Sequence, residues 1–230
     1  MRIAAAAIAL LLTATPACAQ EHDHGENDHA ERAGAGRENP ASQPKPAGWL
    51  VRLDRPDRGS ADQVMFTEMA PGWHITTGPA VLLHHPDSVA SGEYRLESEV
   101  FLFDPGERRE GYGLFIGGRD LEGEAQRYIY FLLRRDGTYL VKTREGDETA
   151  IVRDWTRHDA INDWDDRAEG EQAVRNQLTI EVGADDVVFF VNDAEVARVP
   201  RSELPDTDGV FGLRVNHSVN LHVTSLQRTR

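Results

Sequence analysis

An all-β domain, built as two antiparallel sheets packed face to face, is predicted by three observations. Apolar residues recur with a period of two rather than 3.6, turn signals separate the runs at short intervals, and no stretch carries a convincing amphipathic helical pattern. About a dozen short strands joined by tight turns is the pattern of a sandwich or barrel. The closest thing to a helical turn is the stretch from Ala160 to Val174.

Taken in order, the chain opens with Met1-Arg2, an unbroken apolar run from Ile3 to Leu12 and a small-residue ending at Ala17-Cys18-Ala19. These are the parts of a secretory signal, and the run is too short to span a bilayer as a helix. Residues 1–19 are therefore expected to direct export, to the periplasm or beyond, and to be removed with Cys18, the only cysteine. A lipid-modified Cys18 fits less well, because Thr15 stands where a large aliphatic residue is expected. Residues 20–47 are rich in Glu, Asp, His, Gly, Asn, Ala and Pro, with no aromatic or β-branched residue, the composition of a disordered acidic linker.

The folded domain is expected over residues 48–230, its first core residues being Trp49, Leu50, Val51 and Leu53. A domain without disulfides must rest on its hydrophobic core. A formal net charge of −14 repels phosphate backbones and anionic lipid, which disfavours nucleic acid and membrane surfaces as partners, and no later segment is apolar enough to cross a bilayer.

Tyr94, Leu96, Ser98, Val100 and Leu102 alternate with charged and aromatic residues, and Leu178, Ile180 and Val182 with Thr179 and Glu181, so both segments read as half-buried strands. Asp136-Gly137 reads as the tight turn of a hairpin between Arg127–Arg135 and Thr138–Thr143, and Asn192-Asp193-Ala194 as the turn of a second. His84-His85 directly follows the run Val81-Leu82-Leu83 and reads as the exposed end of a strand. Residues 111–118, GYGLFIGG, lack the following helix that a nucleotide loop requires and lack a P-loop lysine, so they too form a strand. Tyr112, Leu114 and Ile116 share one face of it, while the glycines leave the other nearly bare around Phe115. Either a large side chain of a neighbouring sheet or a ligand on a concave face is expected to approach that bare face.

The succession GYGLFIGG, RYIYFLLRRDGTYLVKTREG, DWT, NQLTIEV, VVFFVNDAEVARVP and DGVFGLRVN resembles the concanavalin A-like lectin/glucanase jelly roll over roughly Trp73 to Leu226. Within that fold it is similar to exported laminin-G-like modules and to the 3-keto-disaccharide hydrolase domain. The resemblance implies two antiparallel sheets, with any glycan lying across a concave face or among the loops at its rim. The E-x-D-x-x-E signature of the family 16 glucanases is missing. Its nearest counterpart, Glu93, Arg95, Glu97 and Glu99 on one strand face, is read as a solvent-facing charged edge.

Sugar recognition needs flat aromatic faces and planar amide, carboxylate or guanidinium groups. Tyr128, Tyr130 and Arg134 share one strand face, Lys142 lies on the partner strand, and Trp73-His74, Trp155 and Asn216-His217 offer further aromatic and amide groups. Each has a structural alternative: core packing for the tyrosines and tryptophans, and a satisfied polar role for the histidines. Two functions stand side by side: a non-catalytic exported module that binds glycan or another envelope component, and an enzyme of the 3-keto-glycoside type. The enzyme would use His74 or His217 as a base, with Arg134 or Lys142 steadying an enolate.

No resident cofactor is expected, and two metal sites are weaker candidates. With cleavage after Ala19, the N-terminal amine, backbone amides and His22 would fit Cu(II) or Ni(II) in a square plane, with His24 and His29 nearby, unless the tail is only a solvated spacer. Asn162, Asp163, Asp165 and Asp166 crowd hard oxygen ligands around Trp164, as a Ca²⁺ rim site would, and as an ordinary polar loop would.

Overall fold

Fourteen strands in two seven-stranded sheets make up the described part of the chain, residues 44–230 of a computed structural model. The expected signal segment, Cys18, His22, His24 and His29 lie outside the described residues, as does the expected linker up to residue 43. Among the described residues no helix is long and apolar enough to cross a membrane, and the only helical pieces are three short 3₁₀ turns.

The first sheet runs in the order β1 (Leu50–Leu53), β4 (Val81–Ala90), β13 (Gly209–Val215), β6 (Tyr112–Arg119), β7 (Arg127–Leu133), β8 (Thr138–Glu145) and β9 (Glu148–Arg157). The second runs β12 (Ala194–Pro200), β11 (Asp186–Val191), β10 (Ala173–Val182), β5 (Tyr94–Phe103), β14 (Asn220–Thr229), β3 (Trp73–Thr77) and β2 (Val64–Glu68). Every neighbouring pair is antiparallel.

The core lies between the sheets and takes alternate residues from both. Leu83, Tyr112, Leu114, Ile129, Phe131, Val141 and Leu213 come from the first, and Ile75, Leu96, Val100, Leu178, Ile180, Phe189 and Leu221 from the second. On β5 the alternation is perfect: Tyr94, Leu96, Ser98, Val100 and Leu102 are buried and the residues between them half-exposed. That strand is central rather than an edge. Its outward charges are ion-paired across the sheet, Arg95 to Glu97 (2.9 Å) and Glu181 (3.1 Å), and Glu99 to Arg175 (2.5 Å).

Four local expectations are corrected. The Asp136-Gly137 hairpin is longer than a two-residue turn: Arg134 N–H donates to Thr138 O at 2.9 Å and only Gly137 has positive φ (70°), which makes three loop residues with glycine in the left-handed position. The second hairpin is shorter than expected, with Asn192 (φ 49°) and Asp193 (φ 66°) forming a two-residue turn and Ala194 already in β12. Residues 160–172 form irregular turns with no helix, and Ala173 and Val174 already belong to β10. His84 is not an exposed strand end but a buried residue inside β4, 4% accessible.

Candidate functional site

A second apolar cluster sits on the outward face of the first sheet, built from the residues that alternate with the core: Leu82, Phe115, Tyr128, Tyr130, Leu132 and Leu140, with Leu121 closing over them. Strand register sets it out in two rows. His84, Gly212, Phe115, Tyr130, Lys142 and Ile151 stand opposite one another across six strands, and Arg52, Leu82, Arg214, Gly113, Leu132 and Leu140 form the row beside it. The glycines of GYGLFIGG and β13 make room for protein, not for open space. A Cβ on Gly212 would lie 2.7 Å from the Phe115 ring, and one on Gly111 would lie 3.2 Å from the Trp155 indole. The close approach foreseen at the bare face is therefore made by the protein itself: by the Leu132 and Trp155 side chains at Gly111, by the backbone of Phe131 at Gly113 and by the backbone of Asp206 at Gly117.

Three arginines are held on this face. The Asp54 carboxylate accepts from Arg214 Nη2 at 3.1 Å and from Arg144 Nη1 at 3.3 Å, and Arg52 donates to the Leu121 carbonyl. Arg214 is 6% exposed and Arg144 7%. Burial lowers the Arg214 pKa, but the neighbouring Tyr128, Asp54 and Tyr130 outweigh it and leave the pKa raised, so the guanidinium keeps its charge. Its Nε and Nη1 have no partner within the protein. A buried donor without a partner costs about 1–3 kcal/mol, more when it is charged.

Beside Arg214 a hollow of ≈ 220 Å³ opens, lined by Tyr130, Leu132, Arg134, Leu140, Lys142, Ile151, Asp154, Trp155, Arg214 and Asn216. Five of the residues singled out in the sequence thus converge: Tyr130, Arg134, Lys142, Trp155 and Asn216. The Arg134 guanidinium lies 3.4 Å from the Trp155 ring centroid, so one face of the indole is already covered by a cation. Burial pulls the Arg134 pKa below its usual value against the opposing pull of Asp136 and Glu110. Arg134 Nε and Asn216 Oδ1 are buried without protein partners. Burial, only partly offset by Arg214, pushes the Tyr130 phenol up to about 12, so at neutral pH it is a protonated donor.

The other singled-out residues lie elsewhere. Tyr128 shares the face but is buried beneath Phe115 and Tyr130. Trp73, on the core-facing side of β3, packs on Trp49 at 4.9 Å against the inter-sheet core. His74 is on the outward face of that second sheet, opposite His222 (ring centroids 6.4 Å) and beside Phe103. His217 follows Asn216 outside the hollow, 3.8 Å from Glu110 and 51% exposed. The acidic loop between β9 and β10 is bound into the fold. Asp163 pairs with Arg157 at 3.0 Å, Asp165 with Arg135 at 2.5 Å and Asp166 with Arg157 at 3.8 Å, while the Asn162 amide donates to Arg175 O at 2.6 Å. A larger hollow of ≈ 770 Å³ adjoins this loop, lined by Phe101, Asp166, Arg167 and Arg175 among others, and two of its four acids, Asp163 and Asp166, are already paired with Arg157. Among the described residues no group of three or more His, Cys, Asp or Glu is placed to hold a metal ion.

Arg214, Arg52, Arg144 and Asp54 were missed in the sequence. An arginine alternating with Leu213 and Val215 reads as solvent-facing, and nothing in one strand reports that its outward face is covered by other strands' side chains.

No protein-family model matches the chain, and no curated protein matches it. Solved structures share the fold at very low identity. The carbohydrate binding module CBM66 from Bacillus subtilis aligns with a TM-score of 0.57 at 11% identity, over 80% of this chain and 96% of that one. The Bacteroides ovatus mixed linkage glucan GH16 in complex with its G4G4G3G product aligns at 0.56 and 8% identity, over 83% and 98%. A Bacillus subtilis protein of unknown function with a galectin-like fold aligns at 0.56 and 10% identity, over 78% and 88%. The fold is thus a two-sheet jelly roll of the concanavalin A-like kind.

Proposed function

We propose that this protein is an exported, non-catalytic carbohydrate-binding module that seats one sugar unit in the hollow beside Arg214. The observation that carries the reading is the convergence, in one recess, of an aromatic wall (Trp155 and Tyr130), planar hydrogen-bonding groups (Arg134, Asn216) and a phenol donor. Those are the elements a pyranose needs: apolar surface for its ring faces, and donors and acceptors fixed in a plane for its hydroxyls. The recess is smaller than the roughly 300–1,000 Å³ of pockets that enclose whole drug-sized ligands, which fits a single ring with the rest of the glycan in solvent. Folds shared with a carbohydrate binding module and a glucanase support the ligand class. The N-terminal sequence supports export, which sets the ligand in the envelope or outside the cell.

Two features favour binding over catalysis. Asp154 is the only carboxylate lining the recess, so the pair of acids, about 5 Å apart, that retaining glycosidases use is not assembled there. His74 stands on the opposite side of the sandwich from Arg134 and Lys142, so it cannot serve as the base of a reaction those residues steady. His217 keeps the 3-keto-glycoside alternative testable. Affinity electrophoresis against a glycan panel, run with turnover assays on 3-keto-glucosides and β-glucans, separates the two. Retardation without turnover, lost in Trp155→Ala while circular dichroism is unchanged, is the expected outcome. Turnover abolished by His217→Ala, or binding indifferent to Trp155→Ala, overturns the reading.

A further inference from the structure

We infer that the sugar unit bound in this hollow is anionic, carrying a carboxylate or a sulfate ester, an inference that rests on the carbohydrate reading above. Three cations line the recess, Arg134, Lys142 and Arg214, against one carboxylate, Asp154. Asp54 does not redress the balance, because its two oxygens are already shared between Arg144 and Arg214. Lys142 forms no ion pair among the described residues. Arg214 is nine-tenths buried and retains two donors, Nε and Nη1, that no protein group satisfies. Hydroxyls of a neutral sugar would accept hydrogen bonds from such donors but leave the surplus of Arg134 and Lys142 over Asp154 uncompensated. An anionic oxygen does both at once, and charge-assisted bonds are the stronger kind.

The net charge of −14 on the whole chain does not oppose this. At physiological salt, charges more than about 8 Å apart are largely screened, so the sign of the lining decides what enters. The dense positive lining is a local exception on an acidic protein.

The test compares matched glycans that differ only at carbon 6 of the terminal unit: hydroxymethyl, carboxylate and sulfate ester, each in the gluco, galacto and manno series. Binding to the full-length protein is measured by calorimetry at low and physiological salt. An anionic member is expected to bind roughly tenfold to a hundredfold tighter than its neutral partner. Which of the carboxylate and sulfate members leads tells the two sources apart. The preference should shrink at higher salt and in Lys142→Gln, a substitution at a half-exposed site. Arg214→Lys keeps the charge but not the planar fork, and should lose the carboxylate preference in part. Equal affinity for neutral and anionic partners overturns this inference while leaving the carbohydrate reading intact. Binding of none of them overturns both.

Discussion

Replacing Asn176 by leucine should unfasten the loop between β9 and β10 from the core, and the size of the effect follows from the contacts. Asn176 is fully buried on β10 and faces the inter-sheet space. Its Oδ1 accepts from Asn162 N–H at 2.9 Å and from the Asn192 side-chain amide at 2.9 Å, and its Nδ2 donates to Asn162 O at 3.1 Å. The Asn192 amide also donates to Ala160 O at 2.7 Å, so the same cluster ties the loop to the β11–β12 turn. Leucine nearly matches the volume but satisfies none of these groups. Two backbone groups of Asn162 lose their only protein partners, at about 1–3 kcal/mol each, with some recovery because that residue reaches solvent. The expected loss is about 2–4 kcal/mol, a large part of a typical 5–15 kcal/mol domain stability. Urea unfolding followed by tryptophan fluorescence measures it, with Trp164 on the loop as an added local reporter. A loss below about 0.5 kcal/mol would show that the amide cluster is not what fastens the loop.

Three further outcomes are expected. Burial, as the largest cause, lowers the His84 pKa below its ordinary 6.5 against the pull of Glu122, so His84 favours folding above that pH and the contribution is lost as pH falls through the folded value. The stability difference between pH 7.5 and pH 5.5 should therefore shrink in His84→Gln, and an unchanged difference would exclude His84 as its source. Asp193→Gly should stabilise the β11–β12 hairpin by about 0.5–1 kcal/mol in chemical unfolding, because a φ of 66° costs an aspartate what it does not cost glycine. Chelation by EDTA or addition of calcium should move the melting temperature by less than about a degree, since Asp163, Asp165 and Asp166 already have arginine partners; a rise of several degrees with calcium would restore the rim-site idea.

What the sequence made legible follows its local periodicity. β5 was readable because one of its faces is apolar and the other charged without exception. Tyr128 and Tyr130 do share one face of β7, with Arg134 just past the strand's end, but that strand is apolar on both sides, and pattern alone does not say which side meets the other sheet. β4 was cut short at His84-His85, whereas the strand continues through Pro86 to Ala90. In the fold, β1 pairs only as far as His84, and an irregularity separates His84 from Val89 in the pairing with β13, so Pro86 sits where a missing N–H forfeits no ladder bond. The arginine cluster around Asp54 was illegible for a different reason. Its burial depends on strands far apart in sequence being side by side, and no window of a single strand carries that information.

The two outward faces also differ in how their charges are spent, and that difference can be put to a test. On the second sheet, Arg95 pairs with Glu97 and Glu181 and Arg175 with Glu99 at half-exposed and exposed positions, so each of these charges has a partner although each pair is worth little. On the first, Arg214 is buried with one carboxylate that it shares and two donors it cannot satisfy, so the unliganded protein bears a cost that structure alone does not explain. Arg214→Met removes that burden and still leaves Asp54 its bond to Arg144 at 3.3 Å. If the guanidinium is kept for a ligand, the variant should unfold within about 1 kcal/mol of the parent, or above it, while losing glycan affinity, the usual sign of a site maintained at the expense of stability. If it is kept for the fold, the variant should lose about 3–5 kcal/mol, as expected when a buried ion pair is broken on one side, and the hollow beside it would lose its claim to be a binding site.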